Sequence, residues 1–162
     1  MPYELTFNVL WQTQKYIPFL GFVVSVYFIS ETDEDLPPTK RQIELLDSVD
    51  NLTDEIKPEL AIWARKDFKK RLENWGITPD ELAEENGFEI DEQSIERHFR
   101  IDQVVIPRIE GCNHNYIFLA GKCDWDVEHG IEFLLKNGAP IRCAAQEGLW
   151  SSAEWEDYLA QQ

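Results

Sequence analysis

An Asn137-Gly138 pair separates two apolar runs, residues 130–136 and 139–143. Both central residues of a two-residue type I′ turn need positive φ, which Asn and Gly adopt more easily than other residues do. The pair therefore predicts a β-hairpin. The polar residues that precede the hairpin are then expected at the entrance of a sheet, on a bend held by Gly130.

The N-terminal third predicts two further strands. Residues 3–11 alternate between apolar and polar side chains, which is typical of a strand with one buried face. Residues 18–29 are too apolar for burial on one side only, so they predict a central strand.

The longest apolar run, residues 16–29, is shorter than the roughly 20 residues that a bilayer span needs. The first residues lack the basic and apolar regions of a secretory signal.

A helical segment follows an acidic loop at residues 31–38. Thr39 or the prolines before it are expected to begin a first helix of about 12 residues. A second helix is predicted by a stripe of apolar residues at helical spacing: Ile56, Leu60, Trp63, Ala64, Phe68 and Leu72. The basic run 65–71 is expected on its solvent face. Thr78-Pro79-Asp80-Glu81 has the pattern of a capping box and predicts a third helix that ends at Gly87.

The C-terminal half predicts more strands, at residues 97–109 and 116–123, before the hairpin. Residues 151–159 predict a closing helix with Trp155 and Leu159 facing inward. We therefore expect a single α+β domain spanning residues 1–162. Its sheet is predicted to be antiparallel or mixed, with about five to six strands. Two to three helices are expected after the first two strands, and a short helix at the C-terminus.

The chain is strongly acidic, with 31 Asp and Glu residues against 15 Lys and Arg residues and a net charge of −16. Nucleic acids and anionic membranes require clustered basic residues, so both are disfavoured as partners. A basic protein partner fits this charge.

The three cysteines, at 112, 123 and 143, form no CxxC pair and are typical of reduced thiols in a cytoplasmic protein. The oligomeric state is left open.

Potentially reactive side chains are concentrated at residues 123–129. Cys123 and His129 are six residues apart, outside the usual spacings of structural zinc sites, so no metal and no cofactor is predicted. A Cys–His nucleophilic pair would need a thiol of lowered pKa, whereas the surroundings are acidic. The simplest prediction is a structural turn, capped by Asp124 and covered by Trp125. Contact of this loop with a partner is the alternative.

The same residues carry a family resemblance. Cys-Asp-Trp-Asp-x-Glu-His-Gly at 123–130, followed by the Asn-Gly turn, resembles the C-terminal signature of an uncharacterised bacterial domain family. Ile17-Pro18-Phe19 and Pro38-Thr39-x-x-Gln42 are similar to further features of that family. The resemblance covers most of residues 11–145. It implies a small cytosolic α+β protein similar to immunity proteins of bacterial polymorphic toxin systems, and it brings no catalytic residues. The residues after Arg142 depart from the strand-like ending of the family.

Two functions of different classes follow as hypotheses. The first is a non-catalytic cytosolic protein-binding protein, of the immunity type, that neutralises a basic toxin domain. The second is a small enzyme or ligand-binding domain that uses the Cys123–His129 cluster. Absence of catalytic spacing and the net charge favour the first. Its expected contact residues lie in the acidic loop, in segment 84–96 and in the cluster: Asp33, Glu34, Asp35, Asp124, Trp125, Glu128 and His129.

Overall fold

The computed structural model describes residues 3–8, 10–29, 36–109 and 113–146. Within these ranges the strands form one mixed sheet of seven, in which spatial order follows chain order. Neighbouring strands are antiparallel except for the parallel pair of the third and fourth. The strands are β1 (Thr6–Asn8), β2 (Leu10–Ile17), β3 (Phe22–Ile29), β4 (Phe99–Pro107), β5 (Tyr116–Cys123), β6 (Ile131–Lys136) and β7 (Ala139–Ala144).

All helices of the described residues lie between β3 and β4. A parallel strand pair needs a long crossover connection, and the helical segment provides it. The α-helices are α1 (Lys40–Ser48), α2 (Ile56–Trp75) and α3 (Pro79–Asn86). Two 3₁₀ helices complete the segment, at Val49–Asn51 and Glu92–Arg97. The α+β class and the mixed sheet agree with the sequence prediction.

The number of strands was predicted wrongly. The sheet has seven strands rather than five to six, and the helices follow the third strand rather than the second. Residues 18–21 form a tight turn, in which the backbone N–H of Gly21 donates to the carbonyl of Ile17 at 2.8 Å. Strand β3 therefore begins at Phe22 and not at residue 18. The prediction of a single strand over residues 3–11 is also wrong, because this span contains β1 and the start of β2, which pair antiparallel. Strand β2 continues through the partly polar residues 12–17, which the apolar pattern did not reveal.

The Asn-Gly turn and two helix caps agree with the sequence prediction, whereas the turn at 123–130 is capped by Asp126, which accepts the backbone N–H of His129 at 3.1 Å, and not by Asp124 as predicted. Asn137 and Gly138 have φ of 51° and 84°, as a type I′ turn requires, which confirms the hairpin. Thr39 and Thr78 each form a capping box, with Gln42 and Glu81 respectively. The predicted closing helix at 151–159 lies outside the described residues.

The main core lies between the helices and one face of the sheet. Helix α2 contributes the predicted stripe, with Trp63 half-buried and the other five residues buried.

One prediction for this helix is wrong. Arg71, expected on the solvent face, is 7% exposed, and Asp67 beside it is 6% exposed. No helix in the described ranges is long and apolar enough to cross a membrane.

Candidate functional site

A cleft of about 830 Å³ lies where α2, α3, the loop after β5 and strand β7 meet. We call it the cluster cleft, because residues 124–129 form one of its walls. Helix α2 supplies aromatic and basic side chains to the opposite wall. The charged and aromatic lining residues are Trp63, Lys66, Asp67, Lys70, Arg71, Trp75, Glu85, Asp124, Trp125, Asp126, Glu128, His129 and Arg142.

The loop between β5 and β6 is closed by its own hydrogen bonds. The N–H of Gly130 donates to the carbonyl of Asp126 at 2.9 Å, and the thiol of Cys123 donates to the carbonyl of Gly130 at 3.4 Å. Gly130 has φ of 61°, and a Cβ atom there would lie 2.3 Å from the carbonyl oxygen of Gly121. Only glycine fits this bend, so the backbone between 123 and 130 holds one defined shape.

A buried charged network joins this loop to α2. Arg71 Nε lies 2.8 Å from Asp67 Oδ2, and Arg71 Nη1 lies 3.1 Å from Asp126 Oδ2. Burial alone would lower the pKa of Arg71, but the charges of the two carboxylates raise it above its ordinary value. Removing one member of such a network leaves a buried charge without a partner, which typically lowers the free energy of unfolding by about 3–5 kcal/mol. The network therefore fixes the loop against the helix.

Trp125 is buried in the same network. Its indole Nε1–H donates to Asp67 Oδ2 at 3.1 Å, and its side chain is 2% exposed. The ring packs edge-on against Phe68 and Phe99, at centroid distances of 5.7 and 6.5 Å. Trp125 covers the core as predicted, but its N–H is satisfied by a residue of α2 and not by a local group. Its burial leaves no indole surface for a large partner.

Asp124 connects the loop to the residue before β4. Asp124 Oδ2 lies 2.9 Å from Nδ1 of His98, whose Nε2 accepts the backbone N–H of Asp91 at 3.1 Å. Because Nε2 accepts, the proton of the neutral ring resides on Nδ1, from which it is donated to Asp124. Asn86 at the end of α3 donates to the carbonyl of Asp124 at 3.1 Å. Asp124 thus ties together three elements around the cleft.

His129 and Glu128 lie at the rim of the cleft. The side chain of His129 is 50% exposed, and its Nδ1 lies 3.1 Å from Asp126 Oδ1. Glu128 is exposed, and Val127 beside it is 80% exposed. These residues are the accessible part of the cluster.

The thiol chemistry considered for this cluster finds no support. Burial raises the pKa of Cys123 to about 12, and among the described residues no hydrogen bond joins Cys123 to His129. A protonated, buried thiol is a poor nucleophile. Burial also raises the pKa of Cys143 well above its ordinary value. Across the described ranges, no three His, Cys, Asp or Glu residues are grouped so as to hold a metal ion.

The structure brings four of the seven predicted contact residues into one cleft: Asp124, Trp125, Glu128 and His129. Asp33, Glu34 and Asp35 lie outside the described residues. The sequence prediction missed Asp67 and Arg71, which hold the loop in place. One face of α2 carries positions 60, 64, 67, 68 and 71. The occurrence of charged residues on this otherwise apolar face could have indicated that Asp67 and Arg71 are buried.

Comparison with known proteins gives a family and no relative of known activity. No curated protein and no solved structure matches the chain. Residues 3–150 match the model of a family described as Domain of unknown function (DUF6985). This match spans nearly the whole chain, including the sheet, the helical crossover and the cluster cleft. The chain therefore belongs to the DUF6985 family.

Proposed function

We propose that the protein is a non-catalytic binding protein that captures a basic protein through the acidic segment 80–96. One observation carries the proposal. This segment, which comprises α3 and the chain that leads to β4, contains eight Asp and Glu residues and no Lys or Arg. Seven of the eight are exposed, and within the described part of the chain only Glu92 forms an ion pair, with Lys69 at 3.8 Å.

The segment is held rigidly enough to act as a binding surface. Helix α3 is capped at both ends, by the Thr78 capping box and by Gly87 with φ of 81°. Its one buried residue, Leu82, packs into the main core. Glu92 binds α2 a second time through its carbonyl, which accepts from Arg65 Nε at 2.8 Å. A pre-organised surface loses little conformational entropy when it binds.

Two exposed aromatic side chains bracket α3 in the chain and suit the role of anchors. Trp75, the last residue of α2, is 45% exposed, and Phe88, which follows α3, is 46% exposed. Aromatic residues surrounded by polar ones supply much of the affinity at protein interfaces. Unpaired carboxylates around them would select a basic partner and raise the association rate through long-range attraction.

The net charge of the chain supports the same partner class. A charge of −16 exceeds the magnitude of about 2–8 that keeps a small domain soluble. Attraction between this charge and a cationic protein would raise the association rate by about tenfold or more at low salt. A basic toxin domain, the partner that the resemblance to immunity proteins implied, has the required chemistry. Asp33, Glu34 and Asp35 are proposed as a second contact region.

The test begins with capture of a basic partner from native lysate and measures association with that purified partner at two salt concentrations. Replacing Glu84, Glu85 and Glu89 by Gln removes three exposed charges from the segment. We expect the association rate to fall by about tenfold at low salt and to become less dependent on salt, because steering scales with local charge. The melting temperature should stay within error of the wild type.

A matched variant removes the same charge elsewhere. Glu44, Glu55 and Glu59 are exposed acids on or beside α1 and α2, and their replacement by Gln should slow association much less. If both triple variants slowed association equally, the effect would come from net charge alone. That result would contradict the proposal that segment 80–96 is a specific binding surface. Capture of no basic protein, with saturable binding of a small molecule at His129, would favour the ligand-binding alternative.

A further inference from the structure

A second cavity, distinct from the cluster cleft, lies at the opposite end of α2. Its volume is about 520 Å³, within the 300–1,000 Å³ range of small-molecule sites. The turn before β3, the first two turns of α2 and the start of β4 form its walls. The apolar lining includes Phe19, Leu20, Phe22, Ala61 and Phe99.

The walls of this cavity belong to the folded core. Phe19, Leu60 and Ile101 are each no more than 5% exposed, and Leu20, Ala61 and Phe99 are partly buried and pack against the main core. The cavity therefore has fixed walls, and a ligand within it would lose little through reorganisation of the protein. Its surface offers few polar partners, so the body of a ligand must be apolar.

The mouth of the cavity carries more positive than negative side chains, which is unusual for this acidic protein. Lys57 and Arg100 line it together with one acid, Glu96, although acids outnumber bases about two to one in the chain. The partner of Arg100 across the strands is the exposed Lys122, which adds positive charge nearby. The ion pair of Lys57 with Asp54, at 2.9 Å, is exposed, and such pairs contribute little.

Arg100 is the cation best placed for a ligand. Its guanidinium carbon lies 4.9 Å from the centroid of the Phe22 ring, so the side chain lies along the apolar lining. Arg100 is exposed and forms no ion pair within the described ranges. An arginine in this state has N–H donors along the edge of its guanidinium plane available for a carboxylate.

We propose that this cavity binds an amphipathic carboxylic acid, with the apolar body among Leu20, Ala61 and Phe99 and the carboxylate at Arg100. Lys57 provides a second, weaker attraction. Glu96 opposes the ligand charge, which restricts the carboxylate to the Arg100 side of the mouth. Glu96 is the one lining residue that also belongs to the acidic segment 80–96, and the other lining residues lie outside that segment, so the proposal does not rest on the function proposed above.

The test compares octanoate with 1-octanol, which share an apolar chain and differ in charge. Each is titrated into the full chain, and amide chemical shifts are followed by NMR. Octanoate should shift the amides of Leu20, Ala61 and Ile101 saturably and bind about tenfold more tightly than the alcohol, because a charge-assisted bond to arginine adds to the same apolar contact. Equal binding of the two, or shifts that do not saturate, would overturn the proposal.

Two arginine variants separate a specific contact from general charge. Arg100→Met should bring octanoate and octanol to within about twofold of each other, since only the carboxylate uses the guanidinium. Arg97→Met removes an exposed arginine that does not line the cavity, and it should leave the preference intact. Loss of the preference in both variants, or retention of it in Arg100→Met, would refute the assignment. Glu96→Gln should strengthen octanoate binding.

Discussion

Glu132 makes the stability of this protein depend on pH in an unusual direction. It lies in β6, 4% exposed, and among the described residues its Oε2 has no hydrogen-bond partner. Burial raises its pKa from 4.5 to about 8, against the attraction of Arg142 and Arg71, which lowers it. In the folded chain the carboxyl keeps its proton at pH values where the unfolded chain has lost it.

The direction of the pH dependence follows from the number of protons that the folded and unfolded states bind. Between pH 4.5 and about 8 the folded state binds more protons than the unfolded state, so stability falls as pH rises. A difference of about 3.5 in pKa, at about 1.4 kcal/mol per pKa unit, gives an upper limit of about 5 kcal/mol. Relaxation around the charge reduces this, so we expect a loss of about 3–5 kcal/mol between pH 4.5 and pH 9.

Urea denaturation at pH 5, 7 and 9 measures this effect in the wild type and in Glu132→Gln. Gln cannot ionise, so the variant should become more stable than the wild type by about 2–4 kcal/mol at pH 9. Near pH 5 the two should be similar. Glu73→Gln, which changes an exposed acid on α2, controls for general charge. A constant difference between the wild type and Glu132→Gln from pH 5 to 9 would refute a buried, protonated Glu132.

Two further predictions concern the hairpin and the charged network. Gly138→Val places a β-branched side chain at φ of 84° and should cost about 1–3 kcal/mol in urea denaturation, whereas an unchanged midpoint would argue against the turn. Trp125→Phe keeps an aromatic ring against Phe68 but removes the hydrogen bond to Asp67, and it should cost about 1.5–3 kcal/mol. The exposed Trp75→Phe should change stability by less than about 0.5 kcal/mol, so equal effects of the two Trp variants would contradict the network.

The candidate site was only partly predictable, and the reason is visible in particular residues. Asp124, Trp125, Glu128 and His129 are close in sequence, so a local pattern could group them. Asp67 and Arg71 are more than fifty residues away, and their approach depends on how α2 crosses the sheet. The helix pattern can place Asp67 and Arg71 on the apolar face of α2, but it does not identify their partners in the loop after β5, and a basic run on a helix is ordinarily solvated.

The sequence by itself determined the features that depend on neighbouring residues. Asn137-Gly138 specifies a turn because both residues tolerate positive φ, and Thr78 caps α3 because its side chain reaches the N–H of Glu81. Tertiary structure alone decided the sheet order and the burial of charge. Strand β2 is partly polar and exists as a strand because β3 pairs with it from Trp11 to Ile17 and β1 pairs with its first three residues. Arg71 is buried because Asp126, from the loop after β5, joins the helix neighbour Asp67 in compensating its charge, and no local stretch of sequence can specify that long-range contact.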